Sequence, residues 1–202
     1  MKLPTENYLS QSTRWQQQGE HILAQHDDAS VMVYQAYRPS TGAFAIAHGC
    51  LGGPDFSFNR MSWIKPNFLW MMYRSGWGTK QGQEVTLGLR IRRPFFEALL
   101  AQAVPSSFDP THYANEQAWK DAVAGSEVRQ QWDPDHAPDG SKLERRAIQL
   151  GLRGDALRAL AETELLEVID MSAFVDAQRG AALGDVANLQ TPAEHVFKSG
   201  SC

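Results

Sequence analysis

The stretch RMSWIKPNFLWMMYRSGWGTK, residues 60–80, holds three of the chain's six tryptophans (Trp63, Trp70, Trp77), four cations and no carboxylate. Two residues divide it. Pro66 suits the first turn of a helix, where its missing N–H would go unpaired in any case, and Gly76 is a natural left-handed stop. The spacing therefore predicts a short strand over residues 61–65, a helix through NFLWMMYRS, and a loop entrance at GWGTKQGQ. It does not read as one long amphipathic helix.

Upstream, SVMVYQAY is rich in β-branched and aromatic residues and predicts a strand that Arg38-Pro39 terminates. Its alternation places Val31, Val33, Gln35 and Tyr37 on one face and Met32, Tyr34 and Ala36 on the other. A short helix over residues 41–48, closed by Gly49, follows. Downstream, EVTLGLRIRR is the clearest strand, with Val85, Leu87, Leu89 and Ile91 opposite Glu84, Thr86, Gly88, Arg90 and Arg92. Helices are expected at PFFEALLAQAV, opened by Pro94, and at ANEQAWKDAVAG, capped by Asn115. EVRQQW and RRAIQLGL read as strands, the second leading into the helix ALRALAE. ELLEVIDMSAFV fits a strand or a helix.

These elements predict an α+β fold, a single domain with a mixed, strongly bent sheet and flanking helices. Its expected limits are residues 29–183. Before it stands a polar arm, residues 1–28, with a short helix over 12–26, and after it a loosely ordered acidic tail, residues 184–202. A chain of 202 residues, 43% hydrophobic, is long enough for one sizeable core and too short for two ordinary domains. A net charge of −4 argues against a surface that coats nucleic acid or an anionic membrane as a whole. Cys50 and Cys202 are isolated, without the spacing of a zinc site or a disulfide framework. With no signal-like or membrane-spanning apolar run, the expectation is a cytoplasmic protein without membrane partners.

Charge is unevenly spread. Residues 60–93 carry seven cations (Arg60, Lys65, Arg74, Lys80, Arg90, Arg92, Arg93) against one anion, Glu84, whereas residues 159–202 carry two cations against seven carboxylates. The basic block coincides with the tryptophan block. Guanidinium and ammonium groups bind phosphates while indole faces stack on flat rings, so this mixture suits a nucleotide-like ligand. On a helical projection Asn67, Trp70 and Arg74 share a face, with Trp63 at the same mouth. Tryptophans and methionines at helical spacing equally fill a core, but the cations do not share that explanation, because buried charge must be paired.

Glu84 has two readings: a catalytic carboxylate, or a salt-bridge partner for Arg90 or Arg74. Arg145 and Gln149 share a strand face that either lines a cleft or meets solvent. The run DPDHAPDG has the composition of a cation site but the Asp-Pro and Asp-Gly pairs of turns, and no metal is expected. Neither a P-loop nor a GxGxxG fingerprint is present.

The pieces VYQAYRP, RMSWIKPNFLWMMYRSGWGTKQGQE, VRQQWDPD and RRAIQLGL, spread over residues 31–152, resemble the family known as domain of unknown function 4291. In motif order the chain is also distantly similar to the ADP-ribosyltransferase-like fold, which includes RNA 2′-phosphotransferases. That second resemblance implies Gln35 or Tyr37 on a first strand, Ser62 and Trp63 on a second, and Glu84 entering a third. It implies a transferase that takes NAD or another nucleotide, with Glu84 and Tyr37 catalytic, Gln35, Ser62 and Trp63 at the cofactor, and RNA or a protein as acceptor; the basic, tryptophan-rich block and the RRAIQLGL face add Lys65, Trp70, Arg74, Arg145 and Gln149 as residues expected to hold the cofactor. The alternative is a non-catalytic module for a nucleotide or single-stranded RNA.

Overall fold

The computed structural model describes residues 3–199. The chain runs through β1 (Thr5–Asn7), α1 (Tyr8–Ser12), β2 (Gly19–Glu20), β3 (Leu23–Ala24), β4 (Ser30–Tyr37) and α2 (Pro39–His48). It continues with β5 (Ser62–Ile64), α3 (Phe68–Ser75), β6 (Val85–Arg92), α4 (Arg93–Gln102), β7 (Val104–Pro105) and α5 (Glu116–Gly125). Then follow β8 (Val128–His136), β9 (Lys142–Leu152), α6 (Gly154–Glu162), β10 (Leu165–Asp170), α7 (Ser172–Leu183), a 3-10 turn, β11 (Gln190–Pro192) and β12 (His195–Val196). The α+β class and the mixed sheet match the sequence pattern. The ambiguous run ELLEVIDMSAFV divides, its first half forming β10 and its second opening α7.

Two sheets carry the fold. In the first, β4 pairs antiparallel with β6, from Ser30 opposite Arg92 to Tyr37 opposite Val85, and β6 pairs antiparallel with β10. In the second, β8 and β9 form a long antiparallel pair, with β7 parallel to β8. The other edge of β9 takes β2 in parallel at Arg145 and Arg146, and β5 antiparallel from Ser62 opposite Leu152 to Ile64 opposite Leu150. One residue past β5, Lys65 meets β4: the Tyr34 N–H donates to the Lys65 carbonyl at 2.7 Å and the Lys65 N–H donates to the Tyr34 carbonyl at 3.1 Å. This junction links the two sheets.

Both faces of β4 are buried. Val31 and Val33 pack with Leu87, Leu89, Ile91, Phe96, Ile148 and Leu150, while Met32 and Tyr34 pack with Phe68, Met72, Trp77, Met171 and Val175. Each large side chain so buried contributes roughly 1.5–3 kcal/mol, and a strand buried on both sides explains the nearly unbroken apolar run.

Helix α3 is set by its N-terminus. The Asn67 side-chain oxygen accepts the Trp70 N–H at 2.7 Å. Glu194 reaches in from the C-terminal segment: one carboxyl oxygen accepts the Phe68 N–H at 2.6 Å, the other the Asn67 amide at 3.2 Å. Pro66 therefore stands outside the helix rather than in its first turn, because Asn67 takes the cap. Burial pushes the Glu194 carboxyl well above its usual value, against the Phe68 hydrogen bond.

The two ends of the chain differ from expectation. No helix spans 12–26: α1 ends at Ser12, Trp15 is buried with its indole N–H on the Glu194 carbonyl, and Gly19 turns the chain at φ 82°. The tail is not loose through residue 197. β11 pairs with β1 and β12 with β3, and Leu189, Thr191, Glu194 and Phe197 are buried. Sparse apolar residues in both segments conceal this, since each segment completes its sheet only with the other. Cys202 lies outside the described residues.

Asn67→Ala removes the cap and orphans one oxygen of buried Glu194. We expect chemical denaturation to show about 2–3 kcal/mol of lost stability, beyond the ~1 kcal/mol of an ordinary cap; an unchanged midpoint would contradict this anchoring role.

Candidate functional site

Residues 61, 63 and 65 alternate along the segment that crosses from β9 to β4, and all three, Met61, Trp63 and Lys65, line one cleft of about 660 Å³. Strand β4 adds Gln35 and Tyr37, α3 adds Trp70, Met71 and Arg74, and β8 and β9 add Gln131, Asp133 and Gln149. Arg60 stands at the rim, shared with a smaller lobe of about 220 Å³ that Arg38 also lines. The wall depends on Gly151, which faces Trp63 across the sheet. A Cβ there would lie 2.7 Å from the Met61 sulfur and 3.0 Å from a Trp63 ring carbon.

Two polar groups form the floor. Gln35 donates its amide to the Ser62 hydroxyl at 2.7 Å and the Trp63 carbonyl at 3.2 Å, while its own oxygen accepts the Tyr37 hydroxyl at 2.5 Å. Burial raises the Tyr37 phenol well above its usual range, against the Ser62 contact, so it remains a neutral donor. Opposite, Gln131 and Gln149 are cross-strand partners, and each gives one amide hydrogen bond to a different Asp133 oxygen, at 2.8 and 2.7 Å. Asp133 is thereby fixed in position.

Lys65 is 6% exposed, and among the described residues its ammonium donates to the Trp63 carbonyl alone, at 3.3 Å. Burial, with the Arg74 charge adding and Asp133 opposing, lowers its pKa to about 7. A lysine so placed exchanges its proton near neutrality.

The basic block divides by function. Arg90 pairs with Glu167, Arg92 with Glu164 and Arg93 with Glu97. Elsewhere Arg14, Arg145 and Arg179 pair with carboxylates, Arg129, Arg146 and Arg153 with backbone carbonyls, and Arg158 lies over the Phe58 ring. Among the described residues, Arg38, Arg60 and Arg74 lack any such partner, and all three line the two lobes of the cleft.

Eight of the ten expected site residues gather here: Gln35, Tyr37, Ser62, Trp63, Lys65, Trp70, Arg74 and Gln149. Two do not. Arg145 is 3% exposed, paired with Asp135 at 2.7 Å and set over the Trp15 ring, so it ties the arm to β9 rather than facing the cleft. Glu84 is outside the cleft lining and is not an ion-pair partner of Arg90 or Arg74. One of its oxygens accepts the Gly82 N–H at 2.9 Å, because its side chain folds back onto the turn before β6. Trp70 is 4% exposed and stacks near parallel to Tyr73 and His136, with ring centroids 5.4 and 5.2 Å away, so it is wall rather than an open platform. Trp77 belongs to the core.

The residues missed are Asp133 and Gln131. DPDHAPDG is only half turn: Asp133 to His136 continue β8, and the turn begins at Ala137. The alternation of Arg129, Gln131 and Asp133 was the available signal. Among the described residues no three His, Cys, Asp or Glu side chains gather as a metal site requires, and no helix is long and apolar enough to cross a membrane.

A family model described as "Domain of unknown function (DUF4291)" matches residues 21–197. The chain belongs to this family. The DUF4291 match includes β3 and β12, so the C-terminal segment is part of the domain, as its buried side chains require. Every cleft residue lies inside it. No curated protein matches the chain.

Lys65 also sets a pH dependence. Its folded pKa lies below the ordinary 10.5, so between about 7 and 10.5 the unfolded chain binds more protons and native stability rises with pH, by at most ~1.4 kcal/mol per unit. Lys65→Met removes the burial penalty: denaturation should show a more stable variant at pH 6 and a shrinking advantage above pH 7. A constant difference across that range would contradict the assignment.

Proposed function

We propose that the protein is a nucleotide-binding transferase of ADP-ribosyltransferase type, acting on the bond between ribose C1′ and the nitrogen of NAD or a related nucleotide. The observation that carries this reading is that two arginines without a partner among the described residues, Arg60 and Arg74, line the larger lobe, and a third, Arg38, lines the adjoining smaller lobe with Arg60. Each of the other arginines among the described residues has a carboxylate, a backbone carbonyl or, for Arg158, an aromatic ring against it, and these three are left for a ligand with phosphate groups.

In this reading Arg60 and Arg74 hold phosphates, and Trp63, Met61 and Met71 bound the space for a flat ring. Asp133, immobilised by Gln131 and Gln149, accepts from ribose hydroxyls and stabilises the positive charge that develops as the base leaves with the bonding pair. The acceptor then bonds to C1′ and loses its proton. Tyr37, Gln35 and Ser62 position the ligand, and Asp133 takes the role that the sequence offered to Glu84. Trp70, already covered by Tyr73 and His136, gives little support to a stacking platform for single-stranded RNA.

Nicotinamide release from NAD, followed chromatographically with water or a protein acceptor, tests this. Asp133→Asn should lower the rate by about 100-fold or more while nucleotide binding persists, and Glu84→Gln should leave it near wild type. Undiminished release by Asp133→Asn would remove that residue from the chemistry, and nucleotide binding without nicotinamide release in the presence of any acceptor would favour the non-catalytic module.

A further inference from the structure

Lys65 is not needed for phosphate binding in the reading above, since Arg60 and Arg74 reach the same cleft from its rim. The lysine instead lies at the floor, where the segment after β5 crosses to β4 and both of its backbone groups are committed to Tyr34. That crossing fixes the start of the side chain, and burial restricts the rest. Its amine has one protein acceptor, the Trp63 carbonyl at 3.3 Å, no carboxylate in direct contact among the described residues, and open cleft beside it. An ammonium has three protons to donate, so this is a poor site for a structural charge. It is a suitable one for a neutral amine, whose lone pair is a nucleophile.

Resting on the nucleotide reading, we propose that Lys65 is a nucleophilic amine that forms an imine with the free C1 aldehyde of a phosphate-bearing ribose, the class to which ADP-ribose and ribose 5-phosphate belong. The lone pair on Nζ attacks the aldehyde carbon of the ring-opened sugar and the carbonyl π pair moves to oxygen. Proton transfer from nitrogen to that oxygen gives a carbinolamine, and loss of water gives the C=N bond. The balance is amine plus aldehyde to imine plus water, with no oxidant or reductant. The arginines select the phosphate, and the clamped Asp133 lies close enough for its charge to act on the amine. The lowered Lys65 pKa keeps a useful fraction of the amine unprotonated at neutral pH.

The test is reductive trapping. The full chain is incubated at pH 7.5 with ribose 5-phosphate or ADP-ribose, reduced with cyanoborohydride, and analysed by intact mass and peptide mapping. The expected result is one adduct per chain at Lys65, absent in Lys65→Arg and Lys65→Met, and weaker with unphosphorylated ribose. Adducts spread over Lys80, Lys120, Lys142 and Lys198 with none enriched at Lys65 would overturn the proposal. Nicotinamide release measured on the same samples separates the two readings. Release without a Lys65 adduct sinks the imine alone, whereas a Lys65 adduct without release sustains it and sinks the transferase.

Discussion

Two backbone hydrogen bonds between Tyr34 and Lys65 join the sheet built on β4 and β6 to the one built on β8 and β9. This junction is the constraint on which the cleft depends. β5 pairs with β9 for three residues, and the segment then touches β4 at a single one, Lys65. Beside this contact lies a hollow lined from both sheets, by Gln35 and Tyr37 on one side and Gln131, Asp133 and Gln149 on the other. Arg60, Met61, Ser62, Trp63 and Lys65 of one extended segment all line it, and Asn67 then starts α3.

Arginines without internal partners give the hollow its chemical character. A folded chain of net charge −4 has carboxylates to spare, and Arg90, Arg92 and Arg93 use them. Arg38, Arg60 and Arg74 do not, although they come from three separate segments. Among the described residues Asp133 is the one carboxylate lining the larger lobe, with both of its oxygens engaged by glutamine amides, and Asp55 lines the smaller lobe beside Arg38. A ligand that enters meets positive charge at the rim and fixed hydrogen-bonding groups at the floor.

Much of this was legible in the sequence. Period-2 alternation located β4, β6 and β9, Asn115 and Gly49 marked helix ends, and the cations and tryptophans that coincide at 60–80 include Arg60, Trp63, Lys65, Trp70 and Arg74 of the candidate cleft. Where the reading failed, the causes were physical. Glu84 stood out because it was the lone anion in a basic run, but linear isolation does not fix direction, and its side chain returned to the Gly82 turn. Asp133 was hidden by Pro134, which reads as a breaker yet sits in β8 opposite Arg146, beyond the two residues that β7 pairs. The ends of the chain were misread because their strands are two or three residues long and gain a partner only when residues nearly 190 apart meet.

Recognition of nucleotide phosphates by this cleft, as proposed, is open to direct test. Isothermal titration of the full chain with NAD, and in parallel with nicotinamide riboside, which has the same base and ribose but no phosphate, tests it most directly. The account predicts saturable binding of NAD that weakens with added salt and is lost in the Arg60→Ala/Arg74→Ala double variant, with the riboside binding at least about tenfold more weakly. Equal affinity for the two ligands, or no binding of NAD at millimolar concentration, would contradict it.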